Sequence, residues 1–86
     1  MPIYVARIDR DDKVLIEHAE VTVELLDVDR WRGRFLLPVG TSLSRSAKLS
    51  IHFNDGREAQ AKVSHIHPAT SKKAPRLVEI TGVGKL

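Results

Sequence analysis

The stretch KLSIHFNDGR, residues 48–57, combines the two signals that decide the fold of this chain, a β-strand and a tight turn. Leu49, Ile51 and Phe53 alternate with polar residues, which is the period-two pattern of a strand with one buried face. The next three residues, 54–56, are asparagine, aspartate and glycine, which favour turns. The stretch therefore predicts the first strand and the turn of a β-hairpin.

The apolar residues on both sides of this turn predict the length of its loop. A two-residue loop would set Ile51 opposite Gln60, so that an apolar residue would face a polar one. A three-residue loop over residues 54–56 sets Ile51 opposite Ala59 instead. Because cross-strand partners share one face of a sheet, we expect the three-residue loop. This loop is a type I turn with a bulge, and it places Gly56 in the left-handed conformation.

Period two recurs through nearly the whole chain, and no window predicts a convincing helix. We expect up to seven short strands, centred on Ile3 to Ile8, on Val14, Ile16 and His18, on Val21, Val23 and Leu25, on Trp31, Phe35 and Leu37, on Leu49, Ile51 and Phe53, on Ala59, Ala61 and Val63, and on Val78 and Ile80. A turn at residues 9–12 and polar loops at residues 38–46 and 67–76 separate them. The pattern predicts an all-β fold, a small antiparallel barrel or compact sandwich of six to seven strands.

The apolar faces of these strands define the expected core, which consists of Val21, Val23, Leu25, Trp31, Phe35, Leu49, Ile51, Phe53, Val63, Val78 and Ile80. Residues 19–27 (AEVTVELLD) also align with residues 47–55 (AKLSIHFND). Two related hairpins produced by an old duplication would explain this alignment. Unrelated β-hairpins also share alternating apolar residues and turn residues, which explains the alignment equally well.

Length and composition narrow the class of protein. A chain of 86 residues corresponds to one domain, residues 1–86. The absence of cysteine excludes disulfides and thiolate zinc sites. Neither a signal peptide nor an apolar run long enough for a membrane span is visible, so we expect a cytoplasmic protein without a membrane partner.

The charge balance is mildly basic, with 14 Lys and Arg against 11 Asp and Glu and a sequence pI of about 9.6. Residues of both signs alternate along most of the chain, which indicates an ordinary solvated surface. Only four residues are aromatic, which leaves little material for stacking on nucleic-acid bases. Nucleic acid or a nucleotide is therefore a candidate partner, but not the favoured one.

Three arginines, Arg30, Arg32 and Arg34, lie on one face of the fourth expected strand and form a candidate anion-binding row. Guanidinium groups bind oxyanions in a forked geometry. The hairpin register sets Glu24 opposite Arg32 and Thr22 opposite Arg34. We favour cross-strand pairing over anion binding as the role of the row, because pairing accounts for the arginines without a ligand.

Two further features complete the candidate anion site. Lys72 and Lys73 form a basic pair in the second long loop, where a weak electrostatic contact is best placed. Trp31 is a candidate exposed aromatic residue, although a structural role in the core is favoured. Gly33 fits either a bulge or a close approach under the tryptophan ring.

No residue pattern in the chain is typical of catalysis, of metal binding or of a bound cofactor. The four histidines do not make a zinc site, because His52 is expected on an outward face and His65 on an inward one. The segment GTSLS, residues 40–44, lacks the second glycine of a nucleophile elbow. We therefore expect no catalytic, metal or cofactor-binding residues.

Several short motifs together resemble small uncharacterised bacterial all-β proteins. The motifs are DRWRG at residues 29–33, LP at 37–38, Leu49, DGR at 55–57 and VEITGVG at 78–84, and the pattern covers about two-thirds of the chain. Proteins of this kind have a Trp-x-Gly-x-aromatic strand, a Pro-Gly loop and an Asp-Gly-Arg turn. The resemblance implies a fold and no activity.

A second resemblance is to the PilZ domain, a small barrel that binds cyclic di-guanylate. Arg30 and Arg34 have the spacing of its first signature, Arg-x-x-x-Arg. Its second signature, Asp or Asn-x-Ser-x-x-Gly, has no match downstream of Arg34. The resemblance implies a similar barrel, with only the arginine pair to suggest a cyclic dinucleotide.

We therefore expect a non-enzymatic binding or protein-interaction module, with a protein partner or a second copy of the chain as the binding partner. The alternative is a binder of anions, cyclic dinucleotides or nucleic acid that uses the arginine row and the loop lysines.

Overall fold

The computed structural model describes residues 2–84 and shows a closed antiparallel barrel of six strands. The strands are β1 (Ile3–Arg10), β2 (Lys13–Asp27), β3 (Arg30–Leu37), β4 (Lys48–Phe53), β5 (Glu58–Ile66) and β6 (Arg76–Val83). Their order around the barrel is β1-β2-β3-β6-β5-β4, and β4 pairs with β1 to close it. The expectation of a small all-β barrel is confirmed. Within residues 2–84, no helix is long and apolar enough to cross a membrane.

The expected second and third strands are one strand, β2, and this part of the prediction was wrong. The apolar residues change from even-numbered to odd-numbered positions along β2, and this change was interpreted as a boundary between two strands. Ala6 pairs with Ala19 and Ile8 pairs with Ile16, so three steps along β2 match two steps along β1. This bulge shifts the buried face by one residue while the strand continues.

The hairpin of β4 and β5 has the expected register. Ile51 pairs with Ala59, and the loop has three residues. The backbone N–H of Phe53 donates to the carbonyl oxygen of Arg57 at 2.8 Å, and that of Gly56 donates to the carbonyl oxygen of Phe53 at 3.0 Å. Gly56 has a φ of 95°, which confirms the left-handed conformation.

Apolar side chains fill the barrel, and no polar or charged residue is buried among those that the structure describes. The expected core residues are all buried except Leu25, which is 67% exposed. Leu25 pairs with Trp31 as expected, but it is the last pair before a register shift near the hairpin turn. The indole of Trp31 reaches inward to Gly82, whereas Leu25 stays outside the core.

Gly33 does not lie beneath the tryptophan ring. A β-carbon at Gly33 would lie 3.0 Å from the carbonyl oxygen of Thr22 and 3.4 Å from Cγ1 of Ile80. The close approach to the indole of Trp31 is made by Gly82 in β6. The strand carrying the ring was identified correctly, but the glycine that makes room for it lies on another strand.

The two aligned hairpins occupy corresponding places in the barrel. The first strand of each hairpin, β2 or β4, pairs with β1, and the second, β3 or β5, pairs with β6. Ala19 and Ala47, which open the two aligned segments, are both buried. The barrel therefore contains two similar hairpins joined on one side by β1 and on the other by β6.

Candidate anion-binding surface

The middle of the arginine row is neutralised within the protein. Arg32 pairs with Glu24 across β2 and β3, and its Nη2 lies 2.7 Å from Oε1 of Glu24. Trp31 is 1% exposed, so the candidate exposed aromatic residue is a core residue. This pairing and the burial of the ring favour a scaffold role for Arg32.

Arg34 lies next to the carboxylate of Glu79, which is already hydrogen-bonded to His67. Arg34 pairs with Glu79 across β3 and β6, while Nε2 of His67 lies 2.7 Å from Oε2 of Glu79. The hydrogen bond with His67 lowers the pKa of Glu79, and the nearby charges of His65 and Arg34 lower it further. Arg30, opposite Asp27, is exposed at the start of β3.

Charges are distributed unevenly between the first two strands and the rest of the barrel. Residues 2–29 hold eight of the eleven carboxylates, whereas residues 30–84 hold ten of the fourteen Lys and Arg. Residues 30–54 and 59–78 contain no Asp or Glu. Because β1 and β2 are neighbours and β3, β6, β5 and β4 follow one another, the barrel has a more acidic side and a more basic side, which meet where β1 pairs with β4.

Lys48 and Lys62 face each other directly on the basic side. They are cross-strand partners in β4 and β5, and both are exposed. Neither forms an ion pair or a side-chain hydrogen bond within residues 2–84. Direct partners have β-carbons only about 5 Å apart, and like charges in this position are destabilising.

The two long loops extend the basic side to one end of the barrel. Nη2 of Arg76 donates to the carbonyl oxygen of Thr41 at 3.1 Å, which ties the start of β6 to the first loop. A cleft of about 400 Å³ lies beside this contact, and Arg45, His65, His67 and Arg76 contribute its basic groups without any carboxylate in its lining.

The loop lysines lie at the edge of this region. Lys72 lines a second cleft of about 270 Å³ together with Arg76, and no carboxylate lines that cleft either. Lys73 follows in the same exposed loop. The structure therefore places Lys72 beside Arg76, in a cleft that no arginine of the row on β3 lines.

We use the name basic face for the surface formed by Arg45, Lys48, Lys62, Lys72, Lys73 and Arg76. Only the two loop lysines among these were singled out from sequence. The signal that could have identified the others is the long carboxylate-free composition of residues 30–54 and 59–78.

The histidines do not gather into a metal site. A register shift between Val63 and His65 turns His65 outward, so the expectation of an inward position was wrong. Its ring then lies 4.4 Å from that of His67, edge to face. His52 is on the outer face as expected, 3.2 Å from Asp9. No three metal-binding side chains come together in residues 2–84.

The Asp-Gly-Arg turn belongs to the scaffold. Oδ2 of Asp55 accepts a hydrogen bond from Nε of Arg57 at 2.8 Å, and the guanidinium of Arg57 lies 5.2 Å from the centre of the Tyr4 ring. The backbone N–H of Arg57 donates to Oδ1 of Asp55, and this hydrogen bond lowers the pKa of Asp55. Arg57 thus covers the edge-to-face pair of Tyr4 and Phe53 at this end of the barrel.

Comparisons with protein-family models, with curated proteins and with solved structures found no match for this chain.

Proposed function

We propose that this protein is a non-enzymatic binding module that holds a polyanionic partner on its basic face. The observation that carries the proposal is the pairing of Lys48 with Lys62 across β4 and β5. Arg10 and Lys13 also face each other, but they flank Asp11 and Asp12, whereas the two lysines lie in segments without Asp or Glu. Two directly opposed lysines make the isolated barrel less stable. An anionic partner would remove this repulsion, because its charges would lie between or above the two ammonium groups.

The surroundings of the lysine pair support the same role. The backbone N–H of Val63 donates to the carbonyl oxygen of Ala47 at 3.0 Å, which holds the end of the first loop against β5. Arg45, two residues before Ala47, therefore extends the positive surface from the strands towards the cleft that it shares with Arg76. Fields from several like charges on one side of a small protein attract polyanions and raise their rate of association.

Carboxylates on the acidic side would orient a polyanion that binds to the basic face. Asp11 and Asp12 border the basic face, because Arg10 pairs with Leu49, the residue after Lys48. Glu17 and Glu20 lie on β2, three strands away from β5 in the barrel order. A polyanion would be repelled there and attracted to the opposite side. The module would thus bind its partner in one orientation.

Inorganic polyphosphate tests this proposal, because it offers anionic charge without any other recognition feature. Binding should be measurable by calorimetry at about 50 mM salt and should weaken steeply as salt is added. The variant K48Q should bind more weakly than the natural protein. The matched control is K13Q, since Lys13 is also an exposed lysine at the first position of a strand.

Equal effects of K48Q and K13Q would mean that only net charge matters, which would overturn the basic face as a site. Absence of polyphosphate binding at low salt would overturn the proposal as a whole.

A protein-interaction role has its own observation, at the tip of the β2–β3 hairpin. Leu25, Leu26 and Val28 are all exposed there, with Val28 80% exposed. A second copy of the chain is the partner that we propose for this tip, since the same patch on two copies can pair about a two-fold axis. Light scattering should then give a dimer for the natural protein and a monomer for V28S.

A further inference from the structure

We infer that the polyanion bound by the basic face is double-stranded DNA, held through its phosphates without reading of its bases. The inference rests on the proposed function and specifies its partner. It follows from four properties of the barrel, namely where its aromatic residues lie, how wide it is, what its polar side chains already bind, and how its cations are grouped.

The aromatic residues are withdrawn from the surface. Trp31, Phe35 and Phe53 are buried, and they make up three of the four aromatic residues in the chain. The fourth, Tyr4, packs edge to face against Phe53, with Arg57 over its ring. Proteins that hold single strands gain much of their affinity from stacking bases on aromatic rings. The basic face offers charge alone, which favours a duplex, whose bases are already stacked on one another.

The width of the barrel favours contacts to phosphates. The backbone measures 38 × 24 × 23 Å along its principal axes. The major groove of B-form DNA is about 12 Å wide, so the strand face is about twice too wide to enter it. The cations on the face would therefore meet the phosphates that border a groove, and such contacts carry no sequence information.

Two of the three hydroxyl side chains beside the lysine pair are engaged within the protein, whereas that of Thr81, opposite Lys62, has no hydrogen bond within residues 2–84. The hydroxyl of Ser50 donates to Oε1 of Gln60 at 3.2 Å, and that of Ser64 donates to the carbonyl oxygen of Glu79 at 2.9 Å. Recognition of duplex RNA uses contacts to 2′-hydroxyl groups. Only the Thr81 hydroxyl is left to meet a 2′-hydroxyl group, so the face presents chiefly cations, which suits DNA.

The cations are arranged in two groups that can contact separate phosphates. Lys48 and Lys62 form the first group on the strands. Arg45 and Arg76 form the second, at the cleft between the loops. The guanidinium of Arg76 is already oriented by its hydrogen bond to Thr41, so part of this site is preorganised.

Fluorescence anisotropy with a labelled duplex of about 20 base pairs, two helical turns, tests the inference. The other probes are an oligothymidine of the same length, a duplex of unrelated sequence, a duplex RNA and inorganic polyphosphate. We expect the two DNA duplexes to bind equally well, and both to bind more tightly than oligothymidine and duplex RNA.

The salt dependence supplies a second readout that a merely destabilised variant would not reproduce. Each phosphate contact on a duplex contributes about −0.9 to the slope of log K against log salt. The double variant K48Q/K62Q should therefore have a slope shallower by about 1.8. K13Q should keep the slope of the natural protein.

Each other outcome has a distinct meaning. Oligothymidine or duplex RNA bound as tightly as duplex DNA would overturn the inference and leave the proposed function standing. A strong preference for one DNA sequence would also overturn it, because phosphate contacts alone cannot produce one. No binding to any of these probes, polyphosphate included, would overturn the proposed function together with the inference.

Discussion

Gly82 in β6 lies directly against the indole ring of Trp31 in β3. A β-carbon at this glycine would overlap the indole nitrogen and two adjoining carbons of the ring. Trp31 is almost fully buried and is the largest side chain in the core. The absence of a side chain at Gly82 is therefore what allows the tryptophan to occupy the barrel interior.

Replacing this glycine by alanine, G82A, should destabilise the barrel by about 2 kcal/mol or more, because the added methyl group forces the indole or the strand to move. Urea unfolding followed by tryptophan fluorescence measures the change. The control is G33A, whose β-carbon would meet its nearest neighbours at 3.0 and 3.4 Å and needs only small adjustments. A larger loss for G33A than for G82A would contradict this arrangement.

The left-handed backbone of Gly56 gives a second prediction. The variant G56V should lose about 1–2 kcal/mol or more of unfolding free energy, because a β-branched residue is strained at positive φ. G56N should lose less, since asparagine adopts this conformation more readily. Thermal unfolding of the two variants tests the difference, and equal stabilities would mean that the turn has another conformation in solution.

Leu25 and Phe53 occupy equivalent places in the aligned hairpins but differ in burial. Leu25 is exposed, so L25A should change the unfolding free energy by no more than about 0.5 kcal/mol. Phe53 is buried, so F53A should cost about 3–5 kcal/mol. Chemical denaturation at low protein concentration separates the two. A comparable loss for L25A at high concentration only would indicate that Leu25 lies in a contact between copies.

The lysine pair predicts opposite effects on stability and on binding. K62E should stabilise the barrel by roughly 0.2–1 kcal/mol, because it replaces a like-charge pair with an opposite-charge pair across β4 and β5. The same change should weaken polyphosphate binding strongly. K13E also replaces a like-charge pair, because Lys13 lies opposite Arg10, so it should stabilise the barrel similarly but should weaken polyphosphate binding far less. A loss of stability in K62E would show that the two ammonium groups do not repel each other in solution.

The contact between His67 and Glu79 gives a pH prediction. Its hydrogen bond lowers the pKa of Glu79 below the ordinary value of 4.5, so the carboxylate is stabilised in the folded state. The resulting stability is complete above the unfolded pKa and is lost as the pH falls through the folded pKa. The advantage of the natural protein over E79Q should therefore be present near pH 6 and absent at about pH 2.

Urea titrations across this range measure that advantage. In an H67A background, E79Q should have a much smaller effect, because the hydrogen bond that lowers the pKa is already gone. An advantage that persists unchanged into acid would assign it to packing of the side chain instead.

The sequence predicted the features that depend on neighbouring positions. The registers of the β4–β5 and β2–β3 hairpins followed from the rule that apolar residues at alternate positions share one face of the sheet. The pairing of Glu24 with Arg32 followed from the second register. The same rule wrongly divided β2 into two strands, because one extra residue at its bulge reverses the buried face without ending the strand. It also misled at His65, which a register shift turns outward.

The candidate site was predicted less well than the fold. The arginine row was recognised as a cross-strand pairing pattern, and the contact of Arg32 with Glu24 fits that interpretation. Lys48 and Lys62 were not recognised as a pair of interest, although the register that joins them had been predicted. Alternating charges along the chain concealed the fact that two long segments lack carboxylates.

The sequence by itself determined the strand period, the three-residue turn, the hairpin registers and most of the core, because these depend on residues close together in the chain. Only the tertiary structure decided that β6 lies between β3 and β5. That placement brings Gly82 to Trp31 and joins the carboxylate-free segments into one face. Pairing between distant strands depends on the closure of the whole barrel, which no single stretch of sequence encodes.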